Sequence, residues 1–211
     1  MNDYNQGFQN LNSRRKTGGK TWLWVLLAVL VVLVFWGVSG YNGFVKKQEV
    51  AYTELSNVQT AYQRRADLLP QLAKIVKSYA AHERETFTQV TQARASATQM
   101  SIDPTNLTAD KLRQYTEAQG ELSAALGRLM VVAERYPELK ASENYKSLQI
   151  QVEGTENRIQ EARRKYNDAV QAYNISVRRM PAVILANLFG FDVMPKFEAA
   201  QGAEKAPDLD I

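Results

Sequence analysis

Apolar residues fall into one unbroken block followed by three long periodic stretches. The block is Thr21–Val38, TWLWVLLAVLVVLVFWGV, which carries no charge and shows no polar stripe. At ~1.5 Å per residue, about 20 such residues cover the ~30 Å hydrocarbon core of a bilayer. Trp22 and Trp24 at one end, with Trp36 and Tyr41 at the other, stand where interfacial aromatic belts stand. A soluble helix of this length would turn a polar face to water. The pattern therefore predicts a membrane anchor over residues 21–40. Gly37, Gly40 and Gly43 follow at steps of three. Each costs about 1 kcal/mol in a helix relative to Ala, so a flexible joint is expected between anchor and domain.

From Lys46 to Met100 the pattern is helical. Leu55, Val58, Tyr62, Leu69, Leu72, Val76, Tyr79, Phe87 and Val90 recur mostly at three- and four-residue steps. Pro70 falls inside this stretch and removes a backbone hydrogen bond, which predicts a kink or break there. Arg65, Glu83 and Arg94 share the apolar spacing. Charges in such places are seldom buried unpaired, so they form ion pairs across a bundle or rotate to its rim. Turn formers cluster over Ser101–Asn106 and end the segment.

Thr108, with Asp110 in the first turn, caps a second segment carrying Leu112, Tyr115, Leu122, Leu126, Leu129 and Val132, and Pro137 stops it. Ser142, followed by Glu143, caps a third that carries Leu148, Val152, Ile159, Tyr166, Val170, Tyr173 and Val177. Pro181 interrupts this one, and Ala182–Phe189 reads as a short apolar helix ending at Gly190.

No stretch alternates as a β-strand would, and no 20–50-residue repeat is present. The expectation is all-α, an antiparallel helical bundle after one transmembrane helix. The first segment would measure ~80 Å if straight and the second ~45 Å. The first therefore either folds back at Pro70, giving four bundle helices, or projects as a stalk. The expected divisions are a disordered cytoplasmic tail (1–20), the anchor (21–40), the bundle (41–191) and a mobile C-terminal tail (192–211).

Composition narrows the function. There is no cysteine and a single histidine, His82. The net charge of +4 divides into +3 over residues 1–40, about +4 over the middle and −3 from Asp192 onward. Acids and bases interleave through its middle, a solvated mixed surface and not the clustered cations of a nucleic-acid interface. Arg14, Arg15, Lys16 and Lys20 lie against the start of the apolar block, whereas Lys46 and Lys47 lie farther from its end and near Glu49. The positive-inside rule then puts the N-terminus in the cytoplasm and the domain outside it. A cleaved signal peptide is the rival, because Val38-Ser39-Gly40 ends in small residues. The apolar run is longer than a typical ~7–15-residue signal core, which favours an uncleaved anchor.

Catalytic sets are not found. A di-metal carboxylate bundle needs two Glu-x-x-His pairs, and the residue three before His82 is Tyr79. No phosphate loop, nucleophile elbow or triad can be assembled, so no cofactor is expected. What remains is polar: Glu153, Thr155, Glu156 and Asn157, then Arg163, Asn167 and Asn174. Glu156 and Arg163 are seven apart and share a helix face. Arg65, Glu83, Arg94, Glu156, Asn157, Arg163 and Asn167 thus form the candidate interaction face. Such residues serve either as inter-helix ties or as a polar groove for a ligand or partner.

Several runs carry a family likeness: RRADLLP (Arg64–Pro70), SYAAHE (Ser78–Glu83), ARASA (Ala93–Ala97) and AERYPELKA (Ala133–Ala141). LQIQVEGTENRIQEARRKYNDAVQAYN (Leu148–Asn174) and the MP…FGF…P.F ending (Met180–Phe197) extend it. From Tyr41 to Phe197 the chain resembles the LemA family, while its Asn- and Gln-bearing N-terminus departs from it. The resemblance implies a four-helix-type bundle after one membrane segment and implies no reaction. The usual description of the family puts the N-terminus outside the cytoplasm. The four cations beside the apolar block argue for the reverse here. The expected function is a non-catalytic envelope scaffold or adaptor, anchored in lipid through residues 21–40 and contacting protein partners, copies of itself included. A ligand-binding or sensor module on the polar face of the third long helix is the alternative.

Overall fold

The computed structural model describes residues 18–198. The tails expected over residues 1–20 and 192–211 therefore lie partly outside the described residues. Six α-helices follow in order: α1 (Gly18–Tyr79), α2 (Arg84–Gln99), α3 (Ala109–Glu134), α4 (Pro137–Ala141), α5 (Glu143–Arg178) and α6 (Ala182–Phe189). A 3-10 turn at Pro104–Asn106 precedes α3. Among the described residues there is no strand, and the architecture is the all-α bundle that the periodicity implies.

The organising element is α1, 62 residues in one helix, or ~93 Å. Its first third is the apolar block, whose side chains point away from the rest of the chain: Trp24 is 70% exposed and Phe35 74%. An 18-residue window here has a mean hydropathy of 2.5, enough by length and composition to cross a membrane. Beyond Gly43 the same helix enters the bundle. Three core layers stack along it. Nearest the apolar block, Phe44 meets Tyr173, Val177 and Ala186. In the middle, Leu55, Val58 and Tyr62 meet Tyr115, Ile159, Tyr166 and Val170. At the far end, Leu69, Leu72 and Val76 meet Leu122, Leu129, Leu139 and Leu148. Each fully buried Leu or Val contributes about 1.5–3 kcal/mol. The pairings show α5 antiparallel to α1 along the whole bundle, with α2 and α3 completing four helices only in its distal half.

Three expectations change. The helix does not break at Pro70; it continues to Tyr79, and the chain folds back over Ala80–Glu83 instead. A helical proline leaves the carbonyl four residues earlier without its donor. That carbonyl is Ala66 O, and Arg94 on α2 donates to it from Nε at 3.2 Å. The missing bond is replaced from a neighbouring helix, so the helix persists.

The glycines form no joint either, since α1 is uninterrupted through Gly37, Gly40 and Gly43. Gly40 instead permits a close approach: a Cβ there would stand 2.9 Å from Leu185 Cδ1 of α6. Finally, the chain beyond Asp192 is packed as far as residue 198, with Phe197 buried.

The caps follow the sequence more closely. Thr108 Oγ1 accepts from the Lys111 amide at 3.2 Å. Gly190 closes α6 with φ +72°, a left-handed conformation that suits glycine. Ser142 occupies the N-cap of α5 without a side-chain capping bond.

Candidate functional site

The polar residues singled out by spacing do not converge on one surface. All but Asn157 divide among four separate ties within the bundle. The most buried is Arg65, only 3% exposed in the distal third of α1. Nη1 donates to Ser123 Oγ at 2.5 Å and to Glu156 Oε1 at 3.0 Å. Nη2 donates to Gln119 O at 2.8 Å and to Gln119 Oε1 at 2.9 Å. The guanidinium also lies 5.0 Å from the centre of the Tyr62 ring. A buried cation is tolerable only when paired and multiply hydrogen-bonded, and here α3 and α5 supply those partners. Arg65 thereby fixes the register of three helices at once. Only its Nε lacks a partner.

Glu83 pairs with Arg135 at 2.8 Å, tying the α1–α2 turn to the end of α3 at the distal tip. Arg94 holds Ala66 O as described. Asn157 is exposed. Although Glu156 and Arg163 share a helix, they serve different ties. Glu156 turns to Arg65, while Arg163 donates from Nη2 to Glu198 O at 2.9 Å and lies 5.0 Å over the Phe197 ring. His82 is exposed in the turn after α1.

Sequence reasoning missed the fourth tie as a unit. Residues 191–198 run as an extended strap along α5, antiparallel to it, held by a dipeptide repeated on that helix, Tyr166-Asn167 and Tyr173-Asn174. Asn174 donates to Met194 O at 2.8 Å and accepts from the Met194 amide at 2.9 Å. Asn167 does the same with Phe197, at 2.9 Å both ways. The Tyr173 hydroxyl donates to Asp192 O and the Tyr166 hydroxyl to Pro195 O, both at 2.9 Å.

The register has a simple origin. Seven helical residues rise ~10.5 Å, and three extended residues advance ~10 Å, so a heptad on α5 matches a three-residue step on the strap. Burial pushes the Tyr173 phenol up to about 12 and raises Tyr166 and Tyr115 as well.

An open groove of about 880 Å³ lies between α1, the end of α2 and α3. Gln59, Gln63, Asp67 and Gln71 of α1 line one wall, Thr98 and Met100 another, and Tyr115 with Gln119 the floor. Gln63 donates to Asp67 Oδ1 at 2.9 Å, and Gln59 donates to Ile102 O at 2.8 Å. The lining is mixed, with amides predominating and no nucleophile–base pair. Among the described residues, no group of three His, Asp or Glu could hold a metal ion.

The fold and its polar ties define a class: a helical bundle built on one long helix whose first third is apolar and exposed. The family model described as the LemA family matches residues 54–210, and the chain belongs to that family. Among curated relatives, the Magnetosome protein MamQ of Magnetospirillum gryphiswaldense is 27% identical over 197 residues, covering 84% of this chain and 72% of that protein. Magnetosome protein MamQ 2 of Paramagnetospirillum magneticum is 28% identical with the same coverage. Protein LemA of Metamycoplasma hominis is 24% identical over 163 residues, covering 76% of this chain and 71% of its own length.

Proposed function

We propose that this protein is a single-pass, membrane-anchored scaffold that works without catalysis, through contacts between its bundle and other proteins of the envelope. One observation supports this above the rest. A single uninterrupted helix carries the apolar span into the bundle, so the four-helix distal half is held at a fixed distance from the membrane. Confinement to a membrane raises the effective concentration of partners in the same plane, which suits lateral assembly. The amide-lined groove beside Asp67 is a surface of the right kind for a peptide or helix of a partner, including another copy. The positive-inside bias favours a cytoplasmic N-terminus with the bundle outside.

The alternative, a ligand-binding or sensor module on α5, has less support. Its defining pair, Glu156 and Arg163, is committed to Arg65 and to the strap. The test is photo-crosslinking in intact cells from Gln63 and Gln71 in the groove, with exposed Ile150 as reference. Discrete protein adducts from the groove positions, absent at Ile150, are expected. A folded chain that forms no adducts and stays strictly monomeric in detergent would contradict the scaffold reading.

A further inference from the structure

We propose that α6 lies in the interfacial layer of the membrane that the span crosses, with its outward apolar stripe in contact with lipid. The inference rests on the anchor reading of residues 21–40 and adds a second contact, made by the far end of the chain.

Its first support is composition set against exposure. The sequence AVILANLF holds one polar residue, Asn187. A helix apolar on every side is normally covered on every side. In α6 only Ala186 is fully buried, while Met180 just before the helix is 75% exposed, Ile184 59% and Leu188 73%. Ile184 and Leu188 stand four apart and form an outward stripe on the helix, with Leu185 and Ala186 on the face turned to the bundle and Met180 in the turn just before it. Apolar stripes left open to water on a folded chain mark contact surfaces.

The second support is position, which selects the occupant. α6 is fixed against α1 where the apolar block ends. Leu185 packs on Gly40, and the Phe189 and Phe191 rings meet Tyr41 edge-on at 5.2 and 5.4 Å. Arg179, at the α5–α6 corner, borders one crevice with Trp36, Ser39 and Gly40. Residue 40 lies ~30 Å along the helix from residue 20, the thickness of the hydrocarbon core, so the corner stands at headgroup depth. The exposed stripe is thus continuous with the lipid-facing surface of the span.

Arg178 and Arg179 are exposed at the same corner, at the depth where snorkelling cations meet the phosphate layer. Apolar residues entering the boundary beneath a fringe of cations are the pattern of interfacial helices.

The chain has no cysteine, so single labelling sites can be introduced cleanly. The full-length protein is reconstituted in vesicles of phosphatidylcholine and phosphatidylglycerol with an environment-sensitive fluorophore at Leu188→Cys. Val29→Cys, inside the span, and Val131→Cys, on exposed distal α3, are the references. The label at 188 is expected to shift to the blue and to be quenched by brominated lipid, as at 29 and unlike 131. An aqueous label at 188 beside a quenched label at 29 overturns the proposal and leaves the anchor standing. Aqueous labels at both positions overturn the anchor reading and this inference with it. A blue-shifted label at 188 that brominated lipid does not quench means protein covers the stripe, and overturns lipid contact in favour of a second copy.

Discussion

Arg94 should matter because Pro70 is there, and for no other reason of comparable size. Pro70 cannot donate to Ala66 O, and that carbonyl belongs to a residue only 3% exposed. Losing a hydrogen bond from a charged donor costs about 1.5–3 kcal/mol, and a buried carbonyl left unpaired costs about 1–3 kcal/mol. Arg94 is half-buried and its bond is long at 3.2 Å, which places Arg94→Met toward the lower end, about 1–2 kcal/mol. Pro70→Ala restores the backbone donor and removes the proline penalty of up to ~3 kcal/mol in a helix interior. It should therefore stabilise the fold. In that background Arg94→Met should cost no more than ~0.5 kcal/mol, because Ala66 O then has its own partner. The coupling is about 0.5–2 kcal/mol, at ~2–4 °C in Tm per kcal/mol for a chain of this size. Thermal unfolding of the four full-length variants in detergent, followed by far-UV circular dichroism, measures it. Equal costs of Arg94→Met in both backgrounds would refute the reasoning, as would destabilisation by Pro70→Ala.

Other expectations follow from the same structure. Arg65→Ala strands Glu156, Gln119 and Ser123 and opens a void, at a cost of about 3–5 kcal/mol, whereas Arg65→Met refills the space and should cost less; denaturant titration ranks them. Asn174→Ala removes both bonds to Met194, about 1–3 kcal/mol of local stability, and should speed hydrogen exchange at the Met194 and Phe197 amides while leaving the distal core protected. Tyr173, held neutral up to about 12, keeps its proton in the folded chain after the unfolded chain begins to lose its own near pH 10. Stability should then be level below pH 10 and fall between pH 10 and 12 by up to ~1.4 kcal/mol per pH unit for this residue, seen in Tm against pH.

Much of this arrangement is legible from local pattern. Apolar spacing gives the three long helices, Thr108 and Gly190 their ends, and the uncharged block the candidate span. What escapes is long-range pairing. Pro70 reads as a break because its consequence is cancelled by a side chain on another helix, while the actual fold-back at Ala80–Glu83 contains no strong turn former. Gly40 reads as a hinge because only the fold brings Leu185 against it.

Arg65 is recognisable as a charge on an apolar stripe, but its partner Glu156 lies 91 positions away. The strap did leave a signal, a Tyr-Asn pair repeated after seven residues. Reading it requires knowing that an extended segment lies alongside.

Membrane topology bears most directly on the proposed role. Compartment reporters are fused separately at the two ends of the chain, and the mass of each mature product is measured. A cytoplasmic N-terminus, an extracytoplasmic C-terminus and an uncleaved chain are the expected results. Both ends in one compartment, or a product shortened near Ser39, would contradict a chain anchored through residues 21–40.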